Sequence, residues 1–194
     1  MDLNISGKWA LVTGGANGIG EEISREFAKE GVNLVVTSRT SGPIDKLKDN
    51  LLKYPIEVIG IEVDFLDANW IDDFEAKLKD IPIQILVNNA GHNLNITDPY
   101  CSIEDWNRIL ELNFFTAVRL SNLLIPRMKN AGWGRIVNIT SVAGVENMGP
   151  VTYGVAKASL TTYTRTMGRI LATEGGEVVM TAIFPGVVVT EGGH

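Results

Sequence analysis

Short apolar runs, each followed by an amphipathic stretch, alternate along the whole chain, and few folds can accommodate that order. The runs fall at residues 9–12, 33–37, 57–63, 84–87, 135–139 and 178–184. Their near-continuous Val, Ile and Leu content suits strands buried on both faces, as in a parallel sheet. Parallel neighbours need long crossovers, and the helical patterns of about 10 to 25 residues between the runs supply them. The expected fold is therefore α/β, a three-layer, doubly wound parallel sheet with six strands present. The first helix should run from Gly18 to Lys29 and close near Gly31, a residue type that accepts the left-handed conformation at a helix end. Ser102 and Asp105 form a capping box for a long fourth helix reaching Met128. It carries Trp106, Ile109, Leu110, Phe114, Ala117 and Leu120 on one 3.6-period stripe. A further long helix is expected from Thr152 to Thr173, and residues 40–43 and 91–99 read as loops.

The 194 residues are 45% hydrophobic, enough for one core, and a single domain over 1–194 is expected. A net charge of −6 without any basic cluster argues against a nucleic-acid partner. Cys101 is the only cysteine, which excludes a disulfide framework and suits a reducing compartment. Together with His92 and His194 it is too little for a metal site, so no metal is expected. No run approaches about 18 uninterrupted apolar residues and the N-terminus lacks the features of a signal peptide, so a cytoplasmic protein without a membrane partner is expected.

Directly after the first apolar run comes Thr13-Gly14-Gly15-Ala16-Asn17-Gly18-Ile19-Gly20, leading straight into a helical pattern. Free backbone N–H groups and the dipole at a helix N-terminus favour an anion, and glycines let the backbone approach a pyrophosphate. Gly14, Asn17, Gly18, Ile19 and Gly20 are therefore candidate cofactor-binding residues. Their spacing is G-x-x-x-G-x-G rather than the commoner G-x-G-x-x-G. The missing Gly-Lys-Ser/Thr argues against a phosphate-transferring P-loop, and a glycine turn without ligand is the bland alternative.

The second run ends Thr37-Ser38-Arg39, near the place where an acidic residue would hold an unphosphorylated ribose 2′-hydroxyl. That acid is missing. Ser38 and Arg39 can instead receive a 2′-phosphate, so NADP(H) is expected in preference to NAD(H). The other account of Arg39 is a solvated loop arginine.

Tyr153 and Lys157 stand four residues apart at the start of the last helical pattern, twelve residues after Ser141. One helix face can present the phenol and the ammonium together. A cation beside a phenol favours the phenolate and brings a group of ordinary pKa near ~10 toward proton exchange at neutral pH.

With these landmarks in order, the chain resembles the short-chain dehydrogenase/reductase family, which has the Rossmann fold, over nearly all of its length. The motifs are TGGANGIG at 13–20, NNAG at 88–91, Ser141 with Tyr153 and Lys157, and PGVVVT at 185–190. The resemblance implies that Tyr153 gives or takes the substrate proton. Lys157 lowers the tyrosine pKa and bonds the nicotinamide ribose, and Ser141 orients the reacting oxygen. Asn113 is implied to hold a water in the proton relay. Asn89, Ala90 and Gly91 would line the cofactor, Asp64 would meet the adenine, and Pro185, Gly186, Val188 and Thr190 would lie beside the nicotinamide. The same residues have plainer accounts: a satisfied core asparagine at 113, a strand-end turn at Ser141, a loop acid at Asp64 and a turn at Pro185-Gly186.

The implied reaction is NADP(H)-dependent interconversion of a carbonyl and a secondary alcohol in a small molecule, carried out by a homodimer or homotetramer. Subunits would meet through the two long helices, with Phe115 or Tyr163 contributing unless the monomer buries them. His92, Asn93, Asn95, Glu146 and Asn147 suggest a hydroxylated substrate such as a sugar or polyol, although solvated loops have the same composition. Family members continue for roughly another third of this length. A seventh strand and a C-terminal segment are thus expected to be missing, which leaves a non-catalytic NADP(H)-binding or sensing module as the alternative function.

Overall fold

The computed structural model describes residues 3–146 and 148–188. Strands β1 (Trp9–Val12), β2 (Asn33–Ser38), β3 (Val58–Glu62), β4 (Ile83–Asn88), β5 (Gly134–Ile139) and β6 (Val178–Ile183) form one sheet in the order β3-β2-β1-β4-β5-β6. Every neighbouring pair is parallel. Each apolar run expected to be a strand is one, with its ends slightly displaced.

The two faces are filled by the alternation of side chains along each strand. On β1, Ala10 and Val12 enter a cluster with Ala28, Leu34, Ile44 and Leu47 beneath α1 (Gly18–Lys29) and α2 (Ser41–Leu51). Leu11 points the other way, into a cluster with Phe74, Leu120, Leu124 and Met128 from α3 (Trp70–Lys77) and α5 (Thr116–Asn130). That side is completed by α4 (Ile103–Leu110) and α6 (Val151–Thr173). Beyond β5, Val178 and Met180 of β6 are buried while Val179 and Ile183 are exposed, and β6 forms an edge of the described sheet.

The strand order reverses between β1 and β4, so the chain leaves these neighbours in opposite directions and opens a crevice at their carboxyl ends. Below it, a buried polar ladder joins the layers. Asn88 Nδ2 donates to Asn138 Oδ1 at 2.7 Å, Asn138 Nδ2 to Thr164 Oγ1 at 2.8 Å, and Thr164 Oγ1 to the Leu160 carbonyl at 2.7 Å.

Two local expectations need correction. The long fourth helix is interrupted: after α4 comes a π-helical turn, Glu111–Phe115, before α5 resumes. Its cap is present, with Ser102 Oγ accepting the Asp105 N–H at 3.1 Å and donating to Asp105 Oδ2 at 2.9 Å. The wider turn breaks the 3.6-residue stripe, and it brings Asn113 into the interior while Phe115 stays exposed. Residues 41–43 are not loop but the first turn of α2, with Thr40 as its extended N-cap. Pro43 is accommodated because N–H groups in a first helical turn have no intrahelical partner to lose.

Among the described residues no helix is long and apolar enough to cross a membrane, and no group of three or more His, Cys, Asp or Glu is placed to hold a metal. Asn138→Ala should lower unfolding free energy by about 3 kcal/mol, because buried partners on β4 and α6 lose their bonds together. Urea denaturation measures this, and a loss below about 1 kcal/mol would show the ladder to be dispensable.

Candidate active site

The glycine turn after β1 uses backbone that side chains resist. Gly14 has φ +61° and Gly18 φ +51°, and a Cβ at Gly20 would collide with the Gly14 carbonyl oxygen. Asn17 is the N-cap of α1, exposed, and makes no side-chain cap bond, so its side chain leaves the first-turn N–H groups to another acceptor. This cradle fits the pyrophosphate of a dinucleotide.

The turn is held by Asn89 together with two residues not singled out as site residues from the sequence, Thr13 and Thr37. Thr13 Oγ1 accepts the N–H groups of Asn89 and Ala90, each at 2.9 Å, and Thr37 Oγ1 accepts the Gly14 N–H at 3.0 Å. Asn89 Nδ2 donates back to the carbonyls of Thr13, at 2.9 Å, and Gly14, at 3.3 Å. The Asn89 amide therefore fastens the turn. A threonine directly preceding a glycine turn was the available signal for Thr13; Thr37 became legible only through its strand neighbour.

At the next strand ends, Ser38 is half-buried and Arg39 exposed. The Ser38 carbonyl accepts the Val63 N–H at 2.9 Å, which brings Asp64 alongside, and Asp64 Oδ1 caps its own turn by accepting the Leu66 N–H at 2.9 Å. Pro185 is joined to the segment after β5 through its carbonyl, which accepts the Val142 N–H at 3.1 Å, with Gly186 and Val188 following. Thr190 and Asn147 lie outside the described residues.

The other side of the crevice carries the reactive groups. Ser141 caps a short turn, Val142–Gly144, its Oγ accepting the Ala143 N–H at 3.1 Å. That turn meets α6 so closely that a Cβ at Gly144 would lie 2.8 Å from the Ala158 nitrogen. The contact brings the Ser141 hydroxyl near enough to the Tyr153 phenol to act on its pKa. Lys157 is buried, and its Nζ donates to the Ile139 carbonyl at 2.9 Å and lies 5.5 Å from the Tyr153 ring centroid. Asn113, also buried, accepts the His92 N–H on Oδ1 at 3.1 Å and donates from Nδ2 to the carbonyls of His92, at 2.9 Å, and Ile109, at 3.0 Å. A Cβ at Gly91 would come within 2.7 Å of Asn113 Oδ1 and 2.9 Å of Lys157 Nζ, so both groups converge on that residue.

Burial shifts the two titratable groups in opposite directions. Desolvation pushes the Lys157 ammonium down from 10.5 to about 8. It pushes the Tyr153 phenol above 10.0, opposed by the Ser141 hydroxyl. The expected fall at Tyr153 is thus not what the site gives: the Lys157 ammonium is aimed at a backbone carbonyl, and the lost hydration of a phenolate outweighs the serine.

The family model for short chain dehydrogenases matches residues 8–194. The chain belongs to this family. It is 30% identical over 195 residues to the 3-oxoacyl-[acyl-carrier-protein] reductase FabG of Aquifex aeolicus, covering 98% of this chain and 78% of that protein. The L-sorbose reductase of Gluconobacter frateurii, solved with NADPH and L-sorbose, superposes with a TM-score of 0.90 at 31% identity, over 98% of this chain and 73% of that one. A family member from Burkholderia phymatum, solved with NAD, gives 0.88 at 26% identity, over 97% of this chain and 68% of that one. The chain is accordingly an oxidoreductase that uses a nicotinamide nucleotide and acts on a CH–OH or carbonyl group.

The buried lysine makes a thermodynamic signature. Between about pH 8 and 10.5 the unfolded chain binds more protons at Lys157 than the folded chain does, so the cofactor-free protein gains stability as pH rises through that window. The full effect is on the order of 3 kcal/mol. Unfolding free energies between pH 7.5 and 9.5 should show the rise, and Lys157→Met should flatten it; equal slopes in the two proteins would contradict the burial.

Proposed function

We propose that this enzyme is an NADP(H)-dependent oxidoreductase interconverting a small-molecule carbonyl and a secondary alcohol, with Tyr153 as general acid/base. The observation that carries this is the convergence of Tyr153 on Ser141, and of Lys157 and Asn113 on Gly91, beside the glycine turn. Bound NADP(H) supplies the hydride. Ser141 and Tyr153 donate hydrogen bonds to the substrate oxygen as negative charge develops there, and Tyr153 passes its proton to that oxygen to complete the alcohol. Lys157, whose ammonium burial lowers to about 8, restores the proton to Tyr153. Asn113 keeps that path in place by fixing the Gly91–His92 backbone against Lys157. Burial holds Tyr153 as the phenol, the form that donates a proton in carbonyl reduction.

In this proposal Gly14, Asn17, Gly18, Ile19 and Gly20 cradle the pyrophosphate, Asp64 meets the adenine, and Ala90, Gly91, Tyr153, Lys157, Pro185, Gly186 and Val188 flank the nicotinamide half. Ser38 and Arg39 select the phosphorylated cofactor. Relatives of this fold are solved with NADPH and with NAD, so the strand-end residues carry the choice, and an exposed guanidinium with no acid at the end of β2 supports NADP(H). Subunits are proposed to associate as a homodimer or homotetramer through α4, α5 and α6, where Phe115, Val151 and Val155 are exposed. Tyr163 contributes less, being half-buried with its ring against Phe114. A single cysteine suits the cytoplasm.

Tyr153→Phe should lower kcat by roughly 10²–10⁴-fold and leave the NADPH dissociation constant within about threefold, under 1 kcal/mol. Turnover near the parent rate would remove Tyr153 from the chemistry. Arg39→Ala should weaken NADPH binding by about 10- to 100-fold with little change for NADH. Titration of both cofactors decides this, and equal losses would refute the assignment.

A further inference from the structure

The segment after β4 places two successive non-glycine residues in the left-handed region, Leu94 at φ 52° and Asn95 at φ 58°. Asparagine tolerates this conformation, whereas a bulky leucine rarely adopts it. Such strain persists where the surroundings over-determine the backbone. Here the Leu94 N–H donates to His92 Nδ1 at 2.8 Å, the Asn95 N–H to Asn93 Oδ1 at 3.0 Å, and the Ile96 N–H to the Asn93 carbonyl at 2.9 Å. His92 is itself gripped at both backbone groups by the buried Asn113 amide. The residue before it is Gly91, on which Lys157 and Asn113 converge. A continuous set of short contacts therefore runs from the π-helical turn through His92 to the strained Leu94.

The hydrogen bond at Nδ1 has a chemical consequence. A neutral imidazole that accepts at Nδ1 carries its proton on Nε2. Because the ring is exposed, it offers a hydrogen-bond donor of fixed tautomer one residue from the point where the proton-transfer groups meet. Residues 91–99 contain no Lys or Arg, so this side of the crevice offers a neutral donor, suited to a hydroxyl rather than a carboxylate.

We propose that His92 is a specificity-determining residue whose Nε2–H bonds a hydroxyl on the carbon next to the reacting carbonyl, so that α-hydroxy ketones are preferred over plain alkyl ketones. The role presupposes the carbonyl reduction proposed above. Asn113 acts on it as a positioning residue.

The test compares NADPH-dependent reduction of ketones matched in carbon skeleton, with and without the α-hydroxyl, such as acetoin and 2-butanone. The parent protein should favour the hydroxylated member. His92→Phe should lower kcat/KM for acetoin about tenfold more than for 2-butanone, mainly through KM, the size expected for one lost hydrogen bond. His92→Asn should recover most of the preference, because its Oδ1 can accept the Leu94 N–H, as Asn93 does for Asn95, while Nδ2 donates. Equal losses on both ketones in His92→Phe would reduce His92 to a support of the turn and overturn the proposal. A parent that reduces both ketones equally well would also overturn it while leaving the proposed function standing. A parent that binds NADPH and reduces no ketone in either half of the panel would instead remove the proposed function, and the role of His92 with it.

Discussion

The Thr13 hydroxyl accepts the backbone N–H groups of Asn89 and Ala90, and through it the end of β1 is pinned to the end of β4. These are the strands between which the sheet reverses its order. The glycine turn leaves from one and the Asn89–Gly91 segment from the other, so a single buried hydroxyl sets the distance between the cofactor cradle and the place where Lys157 and Asn113 meet. Asn89 reinforces the junction from the opposite direction by donating to the Thr13 and Gly14 carbonyls. Neither residue needs to touch a ligand to govern the site, because the crevice exists only while these strand ends are held in register.

Around that junction the protein buries groups that water would rather keep. Lys157 donates to the Ile139 carbonyl, and desolvation lowers its ammonium to about 8. Tyr153 moves the other way for the same reason. The opposed shifts widen the gap between a phenol and an ammonium whose ordinary values lie close together, so Tyr153 keeps its proton while Lys157 gives its own up more readily. Ser141 tempers the tyrosine because Gly144 and Gly154 let the turn after β5 lie against α6 with little between them.

The layers of the fold were legible because burial on two faces forces a continuous apolar composition on each strand, and amphipathic helices advertise their inner stripe. The pairing of Tyr153 with Lys157 was legible for a related reason: a phenol and an ammonium one helical turn apart share a face wherever the helix lies. The π-helical turn at Glu111–Phe115 was not. An inserted residue in a helix leaves no compositional mark, and the contact that accompanies it, the grip of Asn113 on His92, spans 21 positions. The first turn of α2 was missed because Gly42 and Pro43 speak for a loop unless their position relative to the helix start is known.

The sequence by itself determined the alternation of strand and helix, the glycine turn that admits a phosphate, the absence of an acid after β2, and the identities of Ser141, Tyr153 and Lys157. These depend on periodicity and short spacing, which the chain carries locally. Only the tertiary structure decided that Thr13 and Thr37 hold the turn, that the Asn113 amide serves the backbone of His92, and that burial raises Tyr153 while lowering Lys157. Each of these depends on which distant groups replace water around a side chain, and that is fixed when the layers close.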